Sequence, residues 1–256
     1  MEPAQPALHL DISDTTATIR IANPARRNAM TERMWRELPR LLRRCADDPG
    51  VRVLVLTGEG DTFCAGADIS GMREDGGDAS RRLAAEAEEA LAAFPKPVLA
   101  VVRGHCVGGG CQLAVASDLR FAAEDASFGV TPARLGIVYP ASSTRRLAGL
   151  VGPATAKYLL FSAELIDAQR ALRTGLVDEV WPASELDGRV AEFARTLASR
   201  SLLTQAAAKE FVGAGAGAVA DERVAHWARC ARRSGEAVEG VAAFLERRVP
   251  RFGWRG

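Results

Sequence analysis

Cysteine is sparse and unpaired in this 256-residue chain. Cys45, Cys64, Cys106, Cys111 and Cys230 are odd in number, scattered, and fall into no CxxC or Cys/His metal spacing. That argues against a disulfide scaffold or a metal centre, and the thiols read as reduced groups of a cytoplasmic protein. Net charge is also scarce: 33 basic residues against 32 acidic ones leave +1, so no general nucleic-acid surface is expected. The apolar runs are far too short for a membrane span, and no membrane role is expected. The opening MEPAQPALHL has neither a basic region nor a long apolar stretch, so it does not read as a secretory leader. No internal repeat or long low-complexity segment interrupts the chain.

What is present is apolar content of 48%, enough for a substantial core. Leu8–Ser13 and Thr15–Ala22 alternate like strands about a turn at Asp14. Thr31 is placed to cap a helix reaching about Cys45, with Met34, Leu38, Leu41 and Leu42 at helical spacing. Val51–Thr57 and Val98–Val102 read as strands, and Arg81–Phe94 as a surface helix stopped by Pro95-Lys96-Pro97. Leu119–Ala122 reads as a short strand and Ser127–Gly129 as a turn. Alternating strands and helices indicate a layered α/β core. Beyond Pro140 only Val177–Trp181 is strand-like. Helices are expected over Ser142–Leu150, Pro153–Phe161, Glu185–Ser199, Ser201–Val212, Val219–Arg232 and Glu236–Arg247, with a break at Gly213–Gly217. The division drawn is an α/β core over residues 1–195 and a helical oligomerisation region over 196–256.

Two glycine-centred segments carry the chemistry: Phe63-Cys64-Ala65-Gly66-Ala67-Asp68 and Gly104-His105-Cys106-Val107-Gly108-Gly109-Gly110-Cys111-Gln112. Each follows a strand, and the second runs into a helix. Glycine lets backbone amides approach a ligand closely. A helix starting at Gly109 would direct its free N–H groups and positive dipole end at that ligand. Two such amides meeting at one point form an anion-stabilising cradle that uses no side chain. The plainer alternative is that Gly108–Gly110 only permit close helix–strand packing.

These segments, with Asn23-Pro24-Ala25-Arg26-Arg27-Asn28-Ala29-Met30, Ser127-Phe128-Gly129, Ala168-Gln169-Arg170-Ala171 and Phe244-Leu245-Glu246-Arg247-Arg248, resemble the crotonase (enoyl-CoA hydratase/isomerase) superfamily in order along nearly the whole chain. The resemblance implies a coiled parallel-sheet α/β core of the ClpP/crotonase type with a C-terminal helical trimerisation region. It implies an acyl-CoA (or acyl-phosphopantetheine) substrate, no cofactor beyond the CoA of that substrate, and a homotrimer or dimer of trimers. It assigns the oxyanion donors to the amides of Ala67 and Gly109. It places Arg26, Arg27, Ala29, Ala65, Asp68, Ile69, Pro132 and Leu135 along the substrate or CoA. Many relatives have a lysine where Ser70 stands.

Hydratases of this kind carry one glutamate three residues after the second oxyanion glycine and another in the segment after Phe128-Gly129. Here those places hold Gln112 and Pro132. Addition of water needs one group to activate it and one to protonate carbon. Neither a glutamine amide nor a proline ring can ionise for that work. Loss of CO₂ from a malonyl-type thioester needs no base, because the departing carboxylate leaves the enolate behind. Thr131-Pro132 followed by Tyr139 is similar to decarboxylating members, although Ala67 stands where they have a histidine. Tyr139 suits a hydrogen-bond donor, its reference pKa being ~10. Double-bond isomerisation needs one base, for which Glu86, Glu88 and Glu89 are candidates, read as solvated carboxylates. A homologue that binds acyl-CoA without turnover is the third option. A triad hydrolase is disfavoured: His105 has no GxSxG elbow, and His9 and His226 have no chemical context.

Overall fold

The computed structural model describes residues 5–68, 78–213 and 219–255. Strands β1 (Ala7–Ser13) and β2 (Thr16–Ala22) form an antiparallel hairpin about Asp14, whose φ is 52°. Strands β3 (Val53–Gly58), β4 (Val98–Val102), β6 (Leu119–Ala123) and β9 (Glu179–Trp181) continue the sheet in parallel, in the order β1-β2-β3-β4-β6-β9. β4 is buried along its whole length, as expected of a parallel strand covered on both faces. Its alternate residues serve different cores. Val98, Ala100 and Val102 face the larger one with helices α1 (Glu32–Asp47) and α2 (Asp78–Ala92), whereas Leu99 and Val101 meet Leu186 and Val190 of α6 (Ala183–Ala198).

A second sheet is made of β5 (His105–Val107), β7 (Ser127–Gly129) and β8 (Ile166–Asp167). The turn expected at Ser127–Gly129 is therefore a strand, paired in parallel with β5 and antiparallel with β8. Three residues give almost no periodic signal, so neither β5 nor β7 was distinguishable from a loop. Helix α3 (Gly109–Ala116) leaves β5 directly.

The remaining helices are α4 (Ala141–Ser162), α5 (Ala168–Arg173), α7 (Leu202–Gly213), α8 (Asp221–Ser234) and α9 (Glu236–Leu245). The two expected helices over 142–161 form one run broken at Gly152, whose φ and ψ of 74° and 162° are not helical. The division at residue 195 falls in the last turn of α6. Most of the glycine break after α7 lies outside the described residues.

Thr31 caps α1 as expected: its Oγ1 accepts from the Met34 amide at 3.3 Å. At the other end Lys96 Nζ donates to the Cys45 and Asp48 carbonyls at 2.9 and 2.7 Å. A cation on the last carbonyls complements the helix dipole. The cap and the clamp fix α1 beside the two glycine segments, which sets the wall of the site.

Candidate active site

The segment around Gly66 lies between two neighbours. On one side Cys64 bridges Cys106 of β5, with Cys64 N donating to His105 O at 2.8 Å and Val107 N to Cys64 O at 3.0 Å. On the other side Ala67 stands in parallel register with Met30. Met30 N donates to Gly66 O at 2.8 Å and Asp68 N to Met30 O at 2.9 Å. In a parallel pairing the residue between those two bonds directs its own N–H away from that neighbour. Ala67 N accordingly has no acceptor among the described residues.

Helix α3 starts on that open side. Its N-cap Gly108 has φ 55° and ψ −116°, a conformation essentially confined to glycine. The Gly108 amide is consumed by Gly129 O at 2.8 Å, whereas Gly109 N, the first helical amide, has no acceptor among the described residues. A β-carbon built on Gly109 would lie 3.5 Å from Ala67 N, and one built on Gly66 would lie 3.3 Å from Gly109 N. The two uncommitted amides are neighbours. The packing alternative holds one residue further on: a β-carbon on Gly110 would sit 2.2 Å from Cys64 O.

Both amides border a cavity of about 410 Å³, lined also by Arg26, Ala29, Trp35, Ala65, Asp68, Gln112, Pro132, Leu135 and Tyr139. The structure thus brings together the residues that the resemblance assigns to the site, except Arg27 and Ile69. Ile69 lies outside the described residues, as does Ser70. Arg27 does not line the cavity. It holds a left-handed φ of 49° and gives its carbonyl to the Ala65 amide at 3.0 Å, which is a structural role. His105 is likewise outside the cavity lining, with Nδ1 3.0 Å from Ser127 Oγ.

Trp35, Ser80 and Arg81 also line the cavity and were not among the expected site residues. Trp35 Nε1 and Ser80 Oγ are buried without a hydrogen-bond partner. A buried donor left unpaired costs roughly 1–3 kcal/mol, and both atoms lie sealed behind the cavity surface. No pattern in the sequence singles them out.

Burial pushes the Tyr139 phenol well above its usual range, with lesser contributions from Cys111 and Glu88. It is a neutral donor at ordinary pH. Burial also drives the Cys64 thiol up to about 12, and burial with the neighbouring Cys111 thiol raises Cys106. Neither thiol supplies a nucleophile.

One expectation is overturned. Glu86 and Glu89 are exposed, but Glu88 is fully buried. Its carboxylate accepts from Gln112 Nε2 at 2.6 Å, from Arg146 Nη1 at 2.6 Å and from Ser143 Oγ. Arg146 also binds Glu89 at 2.7 Å. The signal was present in the spacing: Glu88 falls four residues after Ala84 and three before Leu91, on the apolar stripe of α2. Glu88 does not line the cavity, and its lone pairs serve three donors.

A family model for enoyl-CoA hydratase/isomerase matches residues 11–255. The crotonyl-CoA hydratase of Syntrophomonas wolfei subsp. wolfei is 35% identical over 251 residues, spanning 95% of this chain and 96% of that one. The 2,3-dehydroadipyl-CoA hydratase of Escherichia coli is 35% identical over 242 residues, spanning 90% and 91% of the two chains. Among solved structures, an enoyl-CoA hydratase/isomerase family protein from Hyphomonas neptunium superposes with a TM-score of 0.91 at 35% identity, over 100% of both chains. The chain belongs to the enoyl-CoA hydratase/isomerase family, and its mixed α/β architecture is the crotonase fold.

Proposed function

We propose that this acyl-CoA-directed enzyme seats a thioester carbonyl oxygen between the amides of Ala67 and Gly109 and releases CO₂ from a malonyl-type acyl group. The observation that carries the reading is the wall around that point. Gln112 and Pro132 occupy it, Tyr139 is its neutral donor, and the fully buried carboxylate nearby, Glu88, is turned to Gln112, Ser143 and Arg146. Among the described residues the one carboxylate on the cavity wall is Asp68.

In this reaction the bond between the α-carbon and the carboxylate breaks. Its electron pair passes into the enolate, whose oxygen gains charge opposite the two amides, and a solvent proton then reaches the α-carbon. Amides held in place before the charge develops lower the barrier, each by roughly 3–4 kcal/mol. The Tyr139 hydroxyl supplies a donor suited to an acyl carboxylate. Arg26 at the exposed mouth fits the CoA phosphates, which a guanidinium grips through two bonds.

Assembly as a homotrimer or a dimer of trimers belongs to the same reading. Val238, Val241, Phe244 and Leu245 on α9 are 77%, 61%, 82% and 75% exposed, an apolar face that a partner subunit would cover. Cytoplasmic placement suits five free thiols. Among the described residues no helix is long and apolar enough to cross a membrane.

The test is to incubate the protein separately with malonyl-, methylmalonyl-, crotonyl- and 3-enoyl-CoA and follow each by mass spectrometry. Loss of CO₂ from the first two is expected. Efficient addition of water to crotonyl-CoA, or migration of the 3-enoyl double bond, would replace the reading with hydratase or isomerase. No change in any of the four would leave an acyl-CoA binder.

A further inference from the structure

Gln112 cannot adopt both orientations of its amide. The atom 2.6 Å from Glu88 Oε2 must be the NH₂ group, because a carboxylate oxygen accepts and a carbonyl cannot donate to it. Turning the amide over would set two acceptors against each other at a fully buried point. Gln112 lines the cavity, and its Oε1 has no donor among the described residues and is not a sealed orphan atom. The carbonyl oxygen is therefore the group left to face the ligand.

The surroundings reinforce that polarity. Arg146 is shared between Glu88 and Glu89, so two carboxylates stand against one guanidinium behind the Gln112 amide. Ser143 donates and carries no charge. Arg145 also acts on Glu89 through its charge, while burial keeps the Tyr139 phenol and the Cys106 thiol protonated.

We infer that Glu88 is a positioning residue: it locks Gln112 with its carbonyl oxygen toward the acyl group, so that a substrate carboxylate meets an acceptor on that wall and is destabilised before CO₂ leaves. This rests on the decarboxylation proposed above. The ground state loses stability because an ionised carboxylate gains nothing from Oε1, whereas neutral CO₂ and the enolate carbon are indifferent to it. The carboxylate is left to donors elsewhere on the cavity wall, the Tyr139 hydroxyl and the Arg26 and Arg81 guanidinium groups among the lining residues.

The test uses the full-length chain and Glu88→Gln. The new amide can donate to Gln112 Oε1 and keep an oxygen for Arg146, which allows Gln112 to turn its NH₂ to the cavity. Binding of succinyl-CoA and of butyryl-CoA, neither of which can lose CO₂ in this way, is measured by calorimetry for each protein. The preference for the anionic over the neutral acyl group is expected to rise about tenfold in E88Q. Glu89→Gln removes one negative charge from the same cluster without touching Gln112, and its preference is expected to stay close to the wild-type value. An unchanged ratio in E88Q, or an equal rise in E89Q, overturns the assignment. With malonyl-CoA as substrate, E88Q is expected to lower both KM and kcat, the signature of relieved ground-state strain; a fall in kcat with KM unchanged or raised also counts against it. The binding comparison needs no turnover, so it distinguishes a wrong role for Glu88 from a wrong reaction.

Discussion

Ala67 stands in register with Met30 yet gives it no hydrogen bond: Met30 takes Gly66 O and Asp68 N instead, and the Ala67 amide is turned toward Gly109. An amide hydrogen can be removed only by proline, and Gly109 is well placed for that change. It is the first residue of α3, where proline fits a helix and forfeits no helical bond. Gly109→Ala and Gly109→Pro both bring a β-carbon to 3.1 Å from the Trp35 ring, so their comparison isolates the change at nitrogen, where the ring methylene of proline takes the place of the hydrogen. With whichever acyl-CoA the chain turns over, kcat of G109P is expected to lie about 10²–10³-fold below that of G109A. Circular dichroism should show the same fold for the two. Equal rates would remove Gly109 from the chemistry.

Tyr139 supplies the second prediction. Burial keeps its phenol protonated beyond the usual value of ~10, so activity should show no alkaline limb from this group between about pH 7 and 10. Tyr139→Phe should cost about tenfold in kcat, the worth of one hydrogen bond to a charged group. The linked effect on stability has a definite sign. The folded chain retains a proton that the unfolded chain releases above about pH 10, so this contribution is full below that pH and declines above it. Urea denaturation of wild type and Y139F from pH 8 to 11 should show the steeper alkaline loss in wild type.

Much of this was legible before any coordinates, and the reason is local. Thr31, Asp14 and the all-apolar run at Val98–Val102 each fix their own element by short-range chemistry. The two glycine segments were also readable, because the backbone geometry at Gly108 admits no other residue. What stayed hidden depended on contacts far apart in sequence. Glu88 looked like one carboxylate among three on a surface helix, and only the approach of Gln112, 24 residues on, and Arg146, 58 residues on, makes it a buried anchor. Trp35 and Ser80 became site residues by facing a cavity that no periodicity reveals. Arg27 and Arg26 were equivalent as letters, and the left-handed turn at Arg27 separated them.

The third prediction contrasts two glycines. Gly110→Ala would push a β-carbon to 2.2 Å from Cys64 O and 2.9 Å from its carbonyl carbon, both backbone atoms of the oxyanion segment. Neither can yield without breaking the pairing of Cys64 with Cys106. The variant is expected to lose about 4 kcal/mol or more, or to fail to fold. Gly149→Ala, inside α4 with open space around its α-carbon, should instead stabilise the chain by about 0.5–1 kcal/mol. Thermal melts of the two variants check both signs, and a tolerated G110A would mean that α3 does not pack against Cys64 as described.

The last prediction concerns the ion pair behind the site. Arg146 is 27% exposed and Glu88 not at all, so Arg146→Met leaves a carboxylate buried with two neutral donors, Gln112 and Ser143, and no cation. Removing one partner of a buried pair costs about 3 kcal/mol even with partial access to water. Glu88→Gln alone leaves Arg146 its second partner, Glu89, and should cost less. In the double variant no buried charge remains uncompensated, so E88Q/R146M is expected to recover about half or more of the loss seen in R146M. Chemical denaturation of the four proteins closes the cycle. If the two changes instead add, the Glu88 carboxylate does not depend on Arg146, and the polarity assigned to the Gln112 wall loses its electrostatic support.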